Sequence, residues 1–182
     1  MPSPICGNIK ITRPSHLDEN EIASICAEIN AIYLEEEKDI WPHDGSYYRI
    51  NASLLKNYLH NFEIFILRED NVIASIIRLY YQDGKRYFGL LSSFRNYRRR
   101  GYAKLLVEHV ESVALKDGDP ALWIELLYCK ELTLDNKTRL FDWYSSLGYE
   151  KYEIVDFLSV HPEKKDVLQR ACDFHIMRKL LR

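Results

Sequence analysis

The sequence predicts an α+β fold: a mixed central β-sheet of about seven strands flanked by helices, in the order β-α-α-β-β-β-α-β-α-β-β. Three observations predict it. Residues 63–68, 72–81 and 87–93 are apolar, β-branched or aromatic runs separated by the turn signals Glu69-Asp70-Asn71 and Gln82-Asp83-Gly84-Lys85, the pattern of an antiparallel meander. Residues 87–128 read as strand, helix and strand, a unit that requires a parallel pair joined by a right-handed crossover. The length of 182 residues suits one core, so residues 1–182 are expected to form a single domain.

Residues 8–13 alternate Ile9 and Ile11 with polar side chains and stop at Pro14, as a short strand does. Ser15 is the expected cap of the first helix, with Asp18 three residues on as a capping-box echo. Ile22, Ile25, Cys26, Ile29, Ile32 and Tyr33 follow at helical spacing. Glu35-Glu36-Glu37-Lys38 closes that helix, and Trp41-Pro42-His43-Asp44-Gly45 breaks it. Asn51 or Ser53 caps a second helix through Leu54, Leu55, Tyr58 and Leu59. After the meander, residues 100–115 set Leu105, Leu106, His109, Val110 and Val113 on one helical face until Gly118-Asp119-Pro120 stops them. Residues 121–128 read as a strand buried on both faces. Residues 138–147 are helical and end at Gly148, suited to a left-handed cap. A strand at 152–160, a short charged helix at 163–171 and a final strand at 174–180 complete the chain.

Composition narrows the function classes. Hydrophobic residues at 47% and aromatics at 13% exclude a disordered chain. No apolar run approaches the ~18 residues that span a bilayer, and residues 1–6 lack a basic start and an apolar signal core. A soluble cytoplasmic protein with no membrane partner is therefore expected. With 25 basic and 27 acidic residues the net charge is −2, whereas nucleic-acid binders draw affinity from a basic excess. No nucleic-acid partner is expected. Cys6, Cys26, Cys129 and Cys172 form no C-x-x-C pair and read as free thiols. The histidines have no metal-ligand spacing, so no metal site is expected.

The informative segment is Leu91-Ser92-Ser93-Phe94-Arg95-Asn96-Tyr97-Arg98-Arg99-Arg100-Gly101-Tyr102-Ala103-Lys104. A strand enters a basic turn that opens a helix. The unpaired N–H groups and positive dipole end of a helix start attract phosphate. Gly101 lets the backbone approach an anion, and the small Ala103 keeps the first turn clear. Neither a Walker A motif nor G-x-G-x-x-G is present. Taken alone, the segment reads more readily as a solvated basic helix start.

The segment Arg98-Arg99-Arg100-Gly101-Tyr102-Ala103, preceded by Tyr97, resembles motif A of the GNAT N-acetyltransferase superfamily, [QR]-x-x-G-x-[GA]. Residues 121–127 resemble that family's fifth strand, and Leu140-Phe141-Asp142-Trp143-Tyr144-Ser145-Ser146-Leu147-Gly148-Tyr149 resembles the helix end of its motif B. The element order matches along essentially the whole chain. Arg95 stands where the family usually has Pro, and Arg99 where Gly is common. Lys137 stands where Asn is often found, with Asn136 one place off. The stretch 129–136 is longer than in many members and is expected to form a substrate-side loop.

The resemblance implies an acetyl-CoA-dependent N-acetyltransferase, monomer or homodimer. It would transfer acetyl to a primary amine of a small molecule or peptide by direct attack in a ternary complex. It places the CoA pyrophosphate on Arg98, Arg99, Arg100, Gly101, Tyr102, Ala103 and Lys104. The pantetheine arm would lie on the backbone N–H groups of Leu91, Ser92 and Ser93, with Lys137 beside it. An amine nucleophile is mostly protonated at neutral pH, with pKa ~10.4 for Lys and ~8 for an α-amine, so a base is needed. Glu125, among Trp123, Ile124, Leu126 and Leu127, would have a raised pKa if buried and is the expected base, directly or through water. A solvent-facing or Arg-paired carboxylate is the other reading. Tyr144 is the expected acid for the departing thiolate, or else a core tyrosine. The acceptor would lie near residues 35–48, with Trp41, His43, Tyr47 and Tyr48. There Glu35, Glu36 and Glu37 either attract a cationic amine or form a solvated helix end. The alternative function is a non-catalytic acyl-CoA sensor or protein-interaction module of the same fold.

Overall fold

The computed structural model describes residues 7–131 and 135–182. Strands β1 (Ile9–Thr12), β2 (Ile64–Glu69), β3 (Val72–Gln82), β4 (Lys85–Ser93), β5 (Ala121–Cys129), β6 (Glu150–Asp156) and β7 (Cys172–Leu180) form one sheet in the order β1-β2-β3-β4-β5-β7-β6. Helices α1 (Glu19–Glu36), α2 (Ala52–His60), α3 (Tyr102–Asp117) and α4 (Asp135–Ser146) connect them. The β2–β3–β4 meander is antiparallel and β4 pairs with β5 in parallel across α3, as the sequence predicts.

Side-chain alternation assigns the two faces. On β2, Ile64 and Ile66 pack with Ile22, Ile25 and Ile29 of α1 and with Leu55 and Leu59 of α2. Phe65 and Leu67 point the other way, onto Leu106, Val107 and Val110 of α3. Each such side chain contributes ~1.5–3 kcal/mol when buried, so the period-two pattern fixes the register of the sheet.

Strand β4 breaks the period. Phe88 packs on the α3 face and Leu90 on the α1 face, although residues two apart on a regular strand share a face. The register accounts for it: Gly89 lies opposite Arg78 but Ser92 lies opposite Ile76. One extra residue is thus inserted on β4, a β-bulge. Leu90 takes it up with φ of +52°, a strained conformation for a bulky side chain.

Several element ends differ from expectation. Asp18, not Ser15, caps α1, its carboxylate accepting the Glu21 N–H at 2.9 Å. Asn51 caps α2 through the Leu54 N–H. The strand expected to reach Val160 stops at Asp156. The Asp156 carboxylate there accepts the Ser159 N–H and opens a helical turn, Phe157–Val160. The charged helix expected at 163–171 is only a 3-10 turn, Pro162–Lys164. Gly148, at φ +92°, ends α4 with the Tyr149 N–H bonded back to the Tyr144 carbonyl, a Schellman closure.

Candidate active site

The β4–β5 ladder is short. Only Arg86–Leu122 and Tyr87–Trp123 pair. Beyond the last pair, Phe88–Ser93 and Ile124–Leu127 line opposite sides of a cavity of about 610 Å³, which α1 and α4 complete. The bulge at Leu90 sits where pairing ends, so a backbone irregularity and the opening coincide. The Ser92 hydroxyl is buried in this wall with no hydrogen-bond partner among the described residues.

At one end of the cavity the strand passes through a 3-10 turn, Arg95–Tyr97, into α3. Arg99 and Gly101 both have positive φ, +64° and +82°, the left-handed backbone from which anion-binding nests are built. Gly101 is the N-cap and has no side chain to satisfy the first-turn N–H groups. A Cβ on it would meet nothing within 4 Å, which leaves room for a ligand. The basic residues divide. Arg98 lines the cavity 3.7 Å from Glu35. Arg100 turns away to an ion pair with Glu69 at 2.7 Å, and Lys104 pairs with Glu108 one turn on. Ala103 lines the cavity. The Tyr102 ring is buried in the core, leaving its backbone as the part that faces outward.

Glu125 follows from strand parity. On β5, Leu122, Ile124 and Leu126 pack on the α3 face, while Ala121, Trp123, Leu127 and Cys129 face Trp41 and Phe174. Glu125 interrupts that second row and lines the cavity. Burial pushes its carboxyl above the ordinary range, offset in part by His161 and Arg49 and by a long bond from the Gln82 amide. Tyr144 enters from α4, packed between Phe88, Trp143 and Tyr149. It is 5% exposed and lines the cavity. Burial, with the Tyr33 phenol nearby, raises its pKa, so it keeps its proton through the neutral range.

Lys137 lines the same cavity, but its ammonium is tied down, 2.6 Å from Glu37 with both side chains buried. Only its stem is left to offer a ligand. Asn136 donates to the Glu36 carbonyl and carboxylate. Part of the expected substrate-side loop, residues 132–134, lies outside the described residues.

The acidic run at the end of α1 is engaged rather than open. Glu35 pairs with Arg95 and Arg98. Glu36 accepts from Asn136, and Glu37 holds Lys137 and the Trp41 indole N–H. His43 bonds the Lys38 carbonyl at the surface and is not among the lining residues. Trp41, Tyr47 and Tyr48 do line the cavity. The sequence reading missed Tyr33, Arg49, His161 and Lys164, which line it as well. Arg49 stands one residue beyond the loop singled out, and its flanking Tyr47-Tyr48 pair was the available signal. His161 and Lys164 arrive only through the turn after β6, which was misread as strand and helix.

The family model for the acetyltransferase (GNAT) family matches residues 26–149, from within α1 to the end of the α4 cap. No curated protein matches the sequence. Among solved structures, the chain is similar to a PaiA N-acetyltransferase from Thermoplasma acidophilum in complex with coenzyme A. There the TM-score is 0.69 at 16% identity, over 95% of this chain and 99% of that one. The ribosomal-protein-S18-alanine N-acetyltransferase from Escherichia coli gives 0.59 at 17% identity, over 96% and 94%. N-acetylglutamate synthase from Neisseria gonorrhoeae, complexed with coenzyme A and N-acetyl-glutamate, gives 0.62 at 16% identity. This chain covers 96% of its own length there but spans only 35% of that protein. At these identities the structures show a shared fold. With the family match spanning the basic turn, β5 and α4, they leave one conclusion: the chain belongs to the acetyltransferase (GNAT) family.

Proposed function

We propose that the chain is an acetyl-CoA-dependent N-acetyltransferase that acetylates a primary amine of a small molecule or peptide by direct attack in a ternary complex. One observation carries the reading. A single cavity brings the Glu125 carboxylate and the Tyr144 phenol to the gap between β4 and β5, with the basic turn at its end. The residues suit coenzyme A: an unpartnered Ser92 hydroxyl, open space at Gly101 and the free N–H groups of the first turn of α3.

Acetyl-CoA would supply the acetyl thioester. Residues 98–104 bind the pyrophosphate through backbone N–H groups and the Arg98 and Arg99 charges. Leu91, Ser92 and Ser93 form the wall along the pantetheine arm. Glu125, its affinity for a proton raised by burial, takes the proton of the attacking ammonium, because only the free amine has a lone pair. Tyr144 is protonated at neutral pH and holds that proton for the departing sulfur.

An amine panel with acetyl-CoA and a free-thiol readout tests the proposal. Tyr144→Phe should cut turnover ~10²–10⁴-fold, the range for general acid catalysis, with acetyl-CoA affinity unchanged by calorimetry. A wild-type rate in that variant refutes the role of Tyr144. No acetyl-CoA binding to the wild-type protein refutes the whole reading, and tight binding with no acetylated amine leaves a binding module.

A further inference from the structure

We infer that the acceptor is an amine that also carries a carboxylate, the carboxylate seated on Arg49 and the amine directed to Glu125. The inference rests on the acetyltransferase reading and names its substrate class. It starts from how the guanidinium is held. The Asn30 side chain on α1 accepts the Arg49 and Ile50 N–H groups at 2.8 and 3.0 Å and donates to the Ile50 carbonyl at 2.9 Å. These three bonds fix the loop that carries Arg49. The guanidinium then lies 4.9 Å from the Tyr33 ring centroid, beside the Tyr33 and Tyr47 hydroxyls. Tyr47 is itself clamped by stacking on Trp41, centroids 4.1 Å apart and 2° from parallel.

This cation is on the cavity wall, and no carboxylate of the described residues comes within 4.0 Å of it. Its neighbours on the wall differ: Arg98 has Glu35, and Lys137 has Glu37. Guanidinium cannot be deprotonated and presents five donors in a planar fork. Two phenol oxygens do not satisfy that fork, and a carboxylate does so with two parallel bonds. Lys164 adds a second positive charge on the same wall, 5.9 Å from the Tyr47 centroid and likewise without a carboxylate within 4.0 Å.

Glu125 completes the argument. Glu125 and Arg49 line the same cavity, and Glu125 senses the Arg49 charge without a direct ion pair to it, so opposite charges share one cavity. A zwitterion bridges such a pair, its ammonium toward Glu125 and its carboxylate toward Arg49. A polyamine does not, since its second ammonium would meet Arg49 and Lys164. In the acidic run, Glu35 and Glu37 are already ion-paired, and Glu36 accepts the Asn136 amide.

The test uses matched pairs of amines with the full chain and acetyl-CoA. Protein amino acids, ornithine and 4-aminobutyrate are compared with the corresponding amines lacking the carboxylate, such as cadaverine for lysine and putrescine for ornithine. The expected result is kcat/KM ~10²-fold or more in favour of the carboxylate-bearing member, because a site built for polar contacts rejects the analogue that lacks them. Arg49→Met should erase that preference through KM, and Arg49→Lys, which keeps charge but not the fork, should lose part of it. Acetyl-CoA affinity should be unchanged in both. Equal use of the decarboxylated amines by the wild-type protein overturns the inference. So does failure of every carboxylate-bearing amine to be acetylated or bound, or a loss of acetyl-CoA affinity on changing Arg49. Absence of acetyl-CoA binding to the wild-type protein is the separate failure that removes the acetyltransferase reading itself.

Discussion

Removing the Lys137 ammonium should destabilise the fold while leaving coenzyme binding nearly intact. Lys137 of α4 and Glu37 at the end of α1 meet at 2.6 Å with side chains 7% and 6% exposed. The second Glu37 oxygen accepts the Trp41 indole N–H at 2.6 Å. Lys137→Met leaves a buried carboxylate with one donor in place of two. Stripping a partner from a buried ion pair costs about 3–5 kcal/mol, because the remaining charge is desolvated without compensation. In a chain of this length 1 kcal/mol corresponds to about 2–4 °C, so Tm should fall by roughly 10 °C. Glu37→Gln combined with Lys137→Met keeps an acceptor for Trp41 and leaves no charge behind, so it should recover most of the loss. Urea unfolding of the wild type, both single variants and the double variant measures the cycle. At a temperature where Lys137→Met remains folded, acetyl-CoA affinity should stay within a few-fold of wild type. A stability loss under ~1 kcal/mol for Lys137→Met would refute the account of the pair as a closed, buried contact between α1 and α4.

Three further outcomes are expected. Glu125→Gln should move the acid limb of the kcat/KM profile to higher pH, with activity returning where the amine deprotonates unaided. The same variant should be more stable than wild type at neutral pH. A carboxyl raised by burial contributes stability while protonated and loses it as pH climbs from the ordinary carboxylate range through its folded value. Equal stability of Glu125→Gln and wild type across that range would refute the burial argument. At Gly101, Asp and Asn both tolerate positive φ and both find open space, so they differ only in charge. Asp should weaken acetyl-CoA binding at least ~10-fold beyond Asn in calorimetry, and equal affinities would remove the pyrophosphate from this turn.

Local patterns in the sequence determined the layered fold. Period-two runs in β2 and β3, helical spacing of Ile22, Ile25 and Ile29, and the left-handed stop at Gly148 depend on neighbours within one or two turns, so they are legible without coordinates. The basic turn before α3 and the acid of β5 are legible for the same reason, as residue types at fixed spacing on one segment. Other features depended on tertiary contacts. The bulge at Leu90 moves Leu90 to the opposite face from Phe88, and no residue at that position announces a positive φ. It is imposed by packing on two sides of the sheet and coincides with the end of β4–β5 pairing. Charge shows the same division. The run Glu35–Glu37 is acidic in sequence, but Arg98, Asn136 and Lys137 arrive from distant segments and engage it. Arg49, tethered by Asn30, meets two phenols and, among the described residues, no carboxylate within 4.0 Å. Whether a charge is available to a ligand is decided by what folds against it, and that information lies in the packing of segments far apart in the chain.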